Sequence, residues 1–137
     1  MNETNLSALI KSMKPRLNAG VFVFVTIPPG TAIPGGIAPI MMFQEAEGLT
    51  LIAPRDQAEG VGLPYSFSSR MIALDVHSSL EAVGFLAAIA ARLAEAGIAV
   101  NAVSAFHHDH LFVPEMRAEE VMEILETMAA GRAPRKK

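Results

Sequence analysis

The chain has 137 residues, 51% of them hydrophobic and only 18% charged, with a formal net charge of −3 and no cysteine. That length carries one ordinary domain or two very small modules sharing a core, and the apolar fraction argues for a filled core rather than disorder. Disulfides, thiolate chemistry and Cys-ligated zinc are excluded, and the one basic cluster (Arg132, Arg135, Lys136, Lys137) falls in a Gly- and Pro-marked tail, residues 131–137, that offers no stripe for nucleic acid.

The first residues lack the basic-then-apolar pattern of a signal peptide. The longest apolar run, 82–91, is about half the ~20 residues a membrane span needs. A cytoplasmic protein with no membrane partner is expected.

In chain order, Leu6, Leu9, Ile10 and Met13 fall at helical spacing ahead of Pro15, so residues 5–13 read as a short amphipathic helix with a stop signal. Residues 21–27 (VFVFVTI) are β-branched and aromatic throughout and read as a strand buried on both faces. Residues 28–39 hold four Pro and three Gly and form a loop. Residues 40–44 and 49–53 read as a hairpin around Glu47 and Gly48, and 56–61 as a weak helix.

In the second half, 71–76 alternates as a strand does. Ser78 to Glu81 reads as a capping box that starts a helix running to Gly97, a glycine placed where a helix C-terminus wants one. Residues 98–106 and 111–113 read as a hairpin turning through His107, His108 and Asp109. Pro114 then opens a last helix with Val121, Ile124, Leu125 and Met128 inward. Strand–helix–strand–strand–helix is the ferredoxin-like split βαβ order.

An internal repeat supports two modules. Leu51, Pro54, Ala58, Glu59 and Val61 recur as Leu111, Pro114, Ala118, Glu119 and Val121, each at an offset of sixty residues. The common pattern is a strand, a proline that ends it and a helix start. Residues 1–65 then form a degenerate first module without its crossover helix, whose place the N-terminal helix fills. Residues 66–130 form the second module, and residues 65–76 suit either half.

Two segments carry the candidate chemistry. The turn from His77 to Gly84 ends a strand and opens a helix, an arrangement whose backbone N–H groups and dipole favour an anion. An ordinary capped helix explains the same residues. The run Phe106-His-His-Asp-His110 suggests a metal, but alternation puts His108 and His110 on one face and His107 and Asp109 on the other. That leaves an incomplete ligand set, so no metal is expected, and the run is a polar tip or a contact for a cationic ligand group. Ser104 beside these residues does not make a triad, and no catalytic, nucleotide or cofactor motif is present, so neither an enzyme nor a cofactor is expected. In the helix over 87–96, Leu86, Ala90 and Leu93 face a sheet while Phe85, Ile89 and Ala96 define a second apolar side. Such a helix is covered twice, by the other module or by a second subunit, which makes a homodimer an expectation.

The stretch 83–98, with its LAEAGI exit, together with Val103-Ser-Ala-Phe106 and Asp109-His-x-x-Val113, resembles the ACT modules of aspartokinase and arginine-sensor type. With Glu45 to Leu51 and His77 to Gly84 included, the whole chain is similar to small bacterial tandem ACT proteins without assigned function. The resemblance implies an α+β, ferredoxin-like ACT fold of tandem βαββαβ-type modules with antiparallel sheets, and a regulatory protein that binds an amino acid or similar small metabolite. By position it implies a ligand site at Ser78, Ser79, Glu81, Ala82, Val83 and Gly84 in the turn and at Ala105, Phe106, His107 and Asp109 in the hairpin. Asp109 would meet the amino or cationic group and the turn amides a carboxylate. Such sensors act on a catalytic domain fused to them; none is present here, which implies a separate protein partner or a lost ligand. The alternative is a ligand-free dimerisation or interaction module.

Overall fold

Asn5 starts the first element: its side-chain oxygen accepts the Ala8 N–H at 3.0 Å, capping helix α1, Leu6–Ser12. The computed structural model describes residues 5–76 and 81–132. Pro15 keeps the chain out of the helix, as its position suggests. The residues around that proline have no assignment from local pattern. Lys14–Leu17 form a strand, β1, paired antiparallel with the later strand β5, Ser66–Asp75, from Lys14 opposite Asp75 to Leu17 opposite Ile72. No β-branched or alternating pattern marks β1, and only its partner makes it a strand.

The remaining elements are β2, Phe22–Ile27; β3, Met41–Glu45; β4, Gly48–Pro54; α2, Arg55–Gly60; α3, Phe85–Glu95; β6, Asn101–Ser104; β7, Asp109–Pro114; a 3-10 turn, Glu115–Arg117; and α4, Ala118–Ala129. Contacts divide the chain into two units: residues up to Asn18 group with those from Met71 onward, and Ala19–Arg70 form the other.

In the discontinuous unit the strand order is β1-β5-β7-β6. This is the ferredoxin-like order, with the N-terminal strand standing where the fourth strand belongs. One face carries the main cluster, while Ala73 and Phe112 are buried on the other. Ile72 and Leu74 from β5, Val76 just after it, and Leu111 and Val113 from β7 meet Leu9 and Met13 of the N-terminal segment, Phe85, Ile89 and Leu93 of α3, and Val121, Leu125 and Met128 of α4. Helix α1 packs against α3 and α4. It does not stand in for a crossover helix of the first module, because Met13 alone separates it from β1, and β1 is paired to β5. In α4, Ile124 is half-buried and Thr127 takes the buried place beside Met128.

Helix α3 begins later than the expected capping box at Ser78. Gly84 precedes it with φ 90°, a left-handed conformation no helix interior contains, so the helix starts at Phe85. Residues 77–80, which include Ser78 and Ser79, lie outside the described residues. The far end follows expectation: Gly97 has φ 72°, its N–H donates to Ala94 O at 2.9 Å, and the Ile98 N–H donates to Leu93 O at 3.0 Å. That closes the helix with Ile98 and Leu93 both buried. The helix buries one stripe, Phe85, Ile89 and Leu93, rather than the two apolar sides expected.

In the second unit the order is β3-β4-β2-β5, with β5 contributing its first half. Strand β5 therefore serves as the last strand here and as the first strand of the discontinuous unit. The core is Val23, Val25, Ile27, Leu51 and Ala58. Strand β2 is buried on one face only: Phe22 and Phe24 are half-buried and Thr26 is exposed. The Pro/Gly loop between β2 and β3 packs Ile33 and Ile37 on that core, and Gln57 Oε1 of α2 accepts the Ala38 N–H at 2.7 Å. A loop thus covers the sheet where a crossover helix would lie. The register between β2 and β5 shifts by one residue between Phe22 and Phe24, and Phe67 takes φ 59° there, its ring 5.8 Å edge-on from Phe24. This is a bulge, which no alternation pattern announces.

The sixty-residue repeat is visible as structure. Strands β4 and β7 end at Pro54 and Pro114 with backbone angles of −57°, 134° and −53°, 135°, and a helical turn follows each proline.

Candidate ligand-binding site

Strands β6 and β7 pair with Val103 opposite His110 and Ser104 opposite Asp109. The Ala105 N–H donates to His108 O at 3.0 Å, so Phe106 and His107 form the tip. The turn therefore lies one residue earlier than the expected 107–109. Phe106 and His107 are exposed and stack edge-on, their ring centroids 5.0 Å apart.

Alternation along β7 assigns the faces. Asp109 shares its side with Leu111 and Val113, which point into the core beside α3, while His108 and His110 take the opposite side. Asp109 is half-buried and its Oδ1 accepts from Ser104 Oγ–H at 2.5 Å. On that opposite side the His108 and His110 rings lie 6.4 Å apart, and His108 Nε2 is 4.0 Å from Asp75 Oδ1.

Asp75 is held by Arg16, whose Nε and Nη2 donate to its two carboxylate oxygens at 3.0 and 3.2 Å, while Nη1 donates to Asn18 Oδ1 at 3.0 Å. The Arg16 hydrogen bond holds the Asp75 carboxyl below the usual carboxylate range against the opposing effect of burial, and the charges of Arg16, His108 and His110 act in the same direction as the bond. Sequence reasoning missed this pair because its members stand 59 residues apart and belong to a strand, β1, that no local pattern marks. A carboxyl depressed in the folded state stabilises the fold above its unfolded pKa, and that contribution is lost as the pH falls through the folded one. Arg16→Gln is therefore expected to lower the urea midpoint modestly at neutral pH, both side chains being solvent-accessible. The gap from wild type should close below about pH 4. A gap that widened in acid would contradict the assignment.

The contact between Asp75 and His108 has a second meaning. It shows that the exit of β5 and the tip of the β6–β7 hairpin lie at the same end of this unit's sheet. The residues singled out in the turn follow that exit: Glu81 exposed, Ala82 half-buried against the core, Val83 84% exposed, and Gly84 capping α3. Asp109 faces the layer in which α3 begins. The four histidine-run residues do not act as one group, since the sheet separates Asp109 from His108 and His110. Among the described residues no three His, Asp or Glu side chains converge as a metal ion requires. No helix among them is long and apolar enough to cross a membrane.

Residues 1–70 match one family model described as an ACT domain, and residues 66–127 match a second with the same description. The chain belongs to the ACT domain family. The two ACT matches overlap over the part of β5 that pairs with β2. A solved Vibrio cholerae protein of unknown function, described as a possible transport protein, is 40% identical, with a TM-score of 0.82 over 90% of this chain and 95% of its own. An Agrobacterium tumefaciens protein matches with a TM-score of 0.71 at 16% identity, covering 85% of this chain and 89% of that one. The ligand-free regulatory subunit of aspartate kinase from Thermus thermophilus matches with a TM-score of 0.62 at 13% identity, over 87% of this chain and 97% of that one. The last two share the ACT fold alone. No curated protein matches the chain at a significant level. The tandem, regulatory, ferredoxin-like character is that of its ACT family, whose modules are typically ligand-binding.

Proposed function

We propose that this chain is a cytoplasmic ACT regulator that binds an amino acid or similar small metabolite, works as a homodimer, has no catalytic activity of its own and signals to a protein partner. The observation that carries the reading is the placement of Asp109. It is half-buried and lies, by alternation with Leu111 and Val113, on the helix-bearing side of the sheet, at the end where His108 meets Asp75 of β5. A ligand lying between hairpin and helix start would offer its ammonium to Asp109 and its carboxylate to the first-turn amides of α3, where the helix dipole favours negative charge. Gly84 adds no side chain of its own there; a Cβ would meet Leu6 Cδ2 at 3.6 Å.

The test is calorimetric titration and thermal-shift screening of the full chain against the common amino acids. At least one is expected to raise the melting temperature, and Asp109→Ala to weaken its binding at least about tenfold, as expected for loss of a charge-assisted hydrogen bond. If no compound shifts the melt, the sensor reading is lost. One observation favours a ligand-free docking module instead: Val83 and Phe106 are exposed at that same end, at 84% and 76%. In that case Phe106→Ala would abolish partner binding while Asp109→Ala left it intact.

A further inference from the structure

The β6–β7 hairpin holds a side-chain pair that its structural repeat does without. Ser104 stands directly opposite Asp109, so both side chains project from the same side of the ladder, and Ser104 Oγ–H donates to Asp109 Oδ1 at 2.5 Å. At an offset of sixty residues the same cross-strand position is filled by Gln44 opposite Leu49. The closing geometry corresponds as well: Glu45 is opposite Gly48 in one hairpin, and the Ala105 N–H donates to His108 O in the other. Leu49 packs on the apolar core of its unit, and Gln44 turns its Nε2–H to Glu45 O. A hairpin of this register therefore closes without a serine–carboxylate pair, and folding does not call for one in the second module.

Asp109 also differs from the other acid at its end of the sheet. Asp75 gives both carboxylate oxygens to the Arg16 guanidinium. Among the described residues no cation pairs with Asp109, and its hydrogen-bond partner is the neutral hydroxyl of Ser104. A half-buried carboxylate is costly until a positive group meets it.

We infer that Ser104 and Asp109 together receive the ammonium group of the ligand, and that Ser104 makes the site selective for a primary amine. This rests on the sensor reading and deepens it by naming the group that the hairpin recognises. The Ser104 hydroxyl gives its one proton to Asp109 and keeps oxygen lone pairs for a donor, while Asp109 keeps Oδ2. Two neighbouring acceptors, one of them charged, suit the diverging N–H donors of an ammonium. A ligand hydroxyl has a single proton and no charge, so it satisfies one acceptor and leaves the carboxylate uncompensated. A guanidinium fork takes both carboxylate oxygens, as Arg16 does at Asp75, and at Asp109 the serine already holds one of them. Gln44 and Leu49 offer no such pair, so each chain holds one ammonium site.

The test is calorimetric titration of the full chain with the common L-amino acids. Each one that binds is compared with the 2-hydroxy acid and the N-amidino acid of the same side chain, which put a hydroxyl or a guanidinium in place of the ammonium. Wild type is expected to take one molecule per chain and to bind the amino acid at least about tenfold more tightly than either analogue. Ser104→Ala should weaken the amino acid about fivefold and narrow its advantage over both analogues, and Ser104→Thr, which keeps the hydroxyl, should restore affinity and selectivity. A serine that only braces the hairpin would weaken all three compounds alike, and that result would overturn the assignment. Two molecules per chain would overturn the single site. Wild-type affinity in Ser104→Ala, with binding lost in Asp109→Ala, would remove Ser104 and leave the sensor reading standing. If Ser104→Ala fails to fold, the selectivity of wild type against the two analogues decides. Binding of none of the amino acids would overturn the sensor reading and this site with it.

Discussion

Leu9→Ala is expected to destabilise the protein by about 2–5 kcal/mol, the cost of removing a large aliphatic side chain from a packed core. Leu9 is fully buried among residues of α3, α4, β5 and β7, although it belongs to a helix of only seven residues at the opposite end of the chain from them. So short a helix has little stability of its own and is held by its buried face. Leu6, one turn earlier and 38% exposed, provides the comparison. Its replacement by alanine should cost less than about 1 kcal/mol. Urea unfolding of the two variants measures the difference. Native-state hydrogen exchange adds the location: Leu9→Ala should speed exchange in α3 and α4 more than in the β2–β4 ladder. Equal effects from Leu6→Ala and Leu9→Ala would contradict the packing of α1 on α3 and α4.

The second large effect is expected at the β3–β4 hairpin. Gly48 follows a two-residue turn with φ 153°, and a Cβ built there would stand 2.5 Å from Ile27 O and 3.2 Å from Thr26 Oγ1. The carbonyl is backbone of β2, which is paired with β4 along six residues, so it has little room to yield. Gly48→Ala is expected to cost about 1–3 kcal/mol from the clash, with backbone strain of similar order added. Gly60 is the contrasting position, for no atom lies within 4 Å of its hypothetical Cβ and its φ is unexceptional. Gly60→Ala should be neutral or stabilise by about 0.4–1 kcal/mol through the unfolded chain. Thermal and urea melts of both variants check the pair. A Gly48→Ala protein as stable as wild type would show that β2 and β4 can separate locally without cost.

Much of the fold was legible because it is written in short-range patterns. The two hairpins, the last helix and the glycine exit of α3 are set by spacing and turn residues within a dozen positions, and the sixty-residue repeat marks the same strand–proline–helix unit twice. The hairpin half of the candidate site was legible too, since alternation alone separates Asp109 from His108 and His110. Other features failed for identifiable reasons. Strand β2 carries apolar residues on both faces, yet its unit covers only one of them, so composition overstated its burial. The serine–glutamate pattern at 78–81 predicted an early start for α3, and the backbone of Gly84 overrides it.

What the sequence by itself determined was the set of local elements, the two-module organisation and the ACT resemblance. The tertiary structure alone decided that residues 14–17 are a strand, that α1 belongs with the second module, that β5 serves both units, and that Arg16 holds Asp75 beside His108. Each of these depends on a partner tens of residues away. Periodicity reports which face of a segment is apolar. It does not report which distant segment covers that face, because that choice is made by the pairing of strands that have little preference of their own.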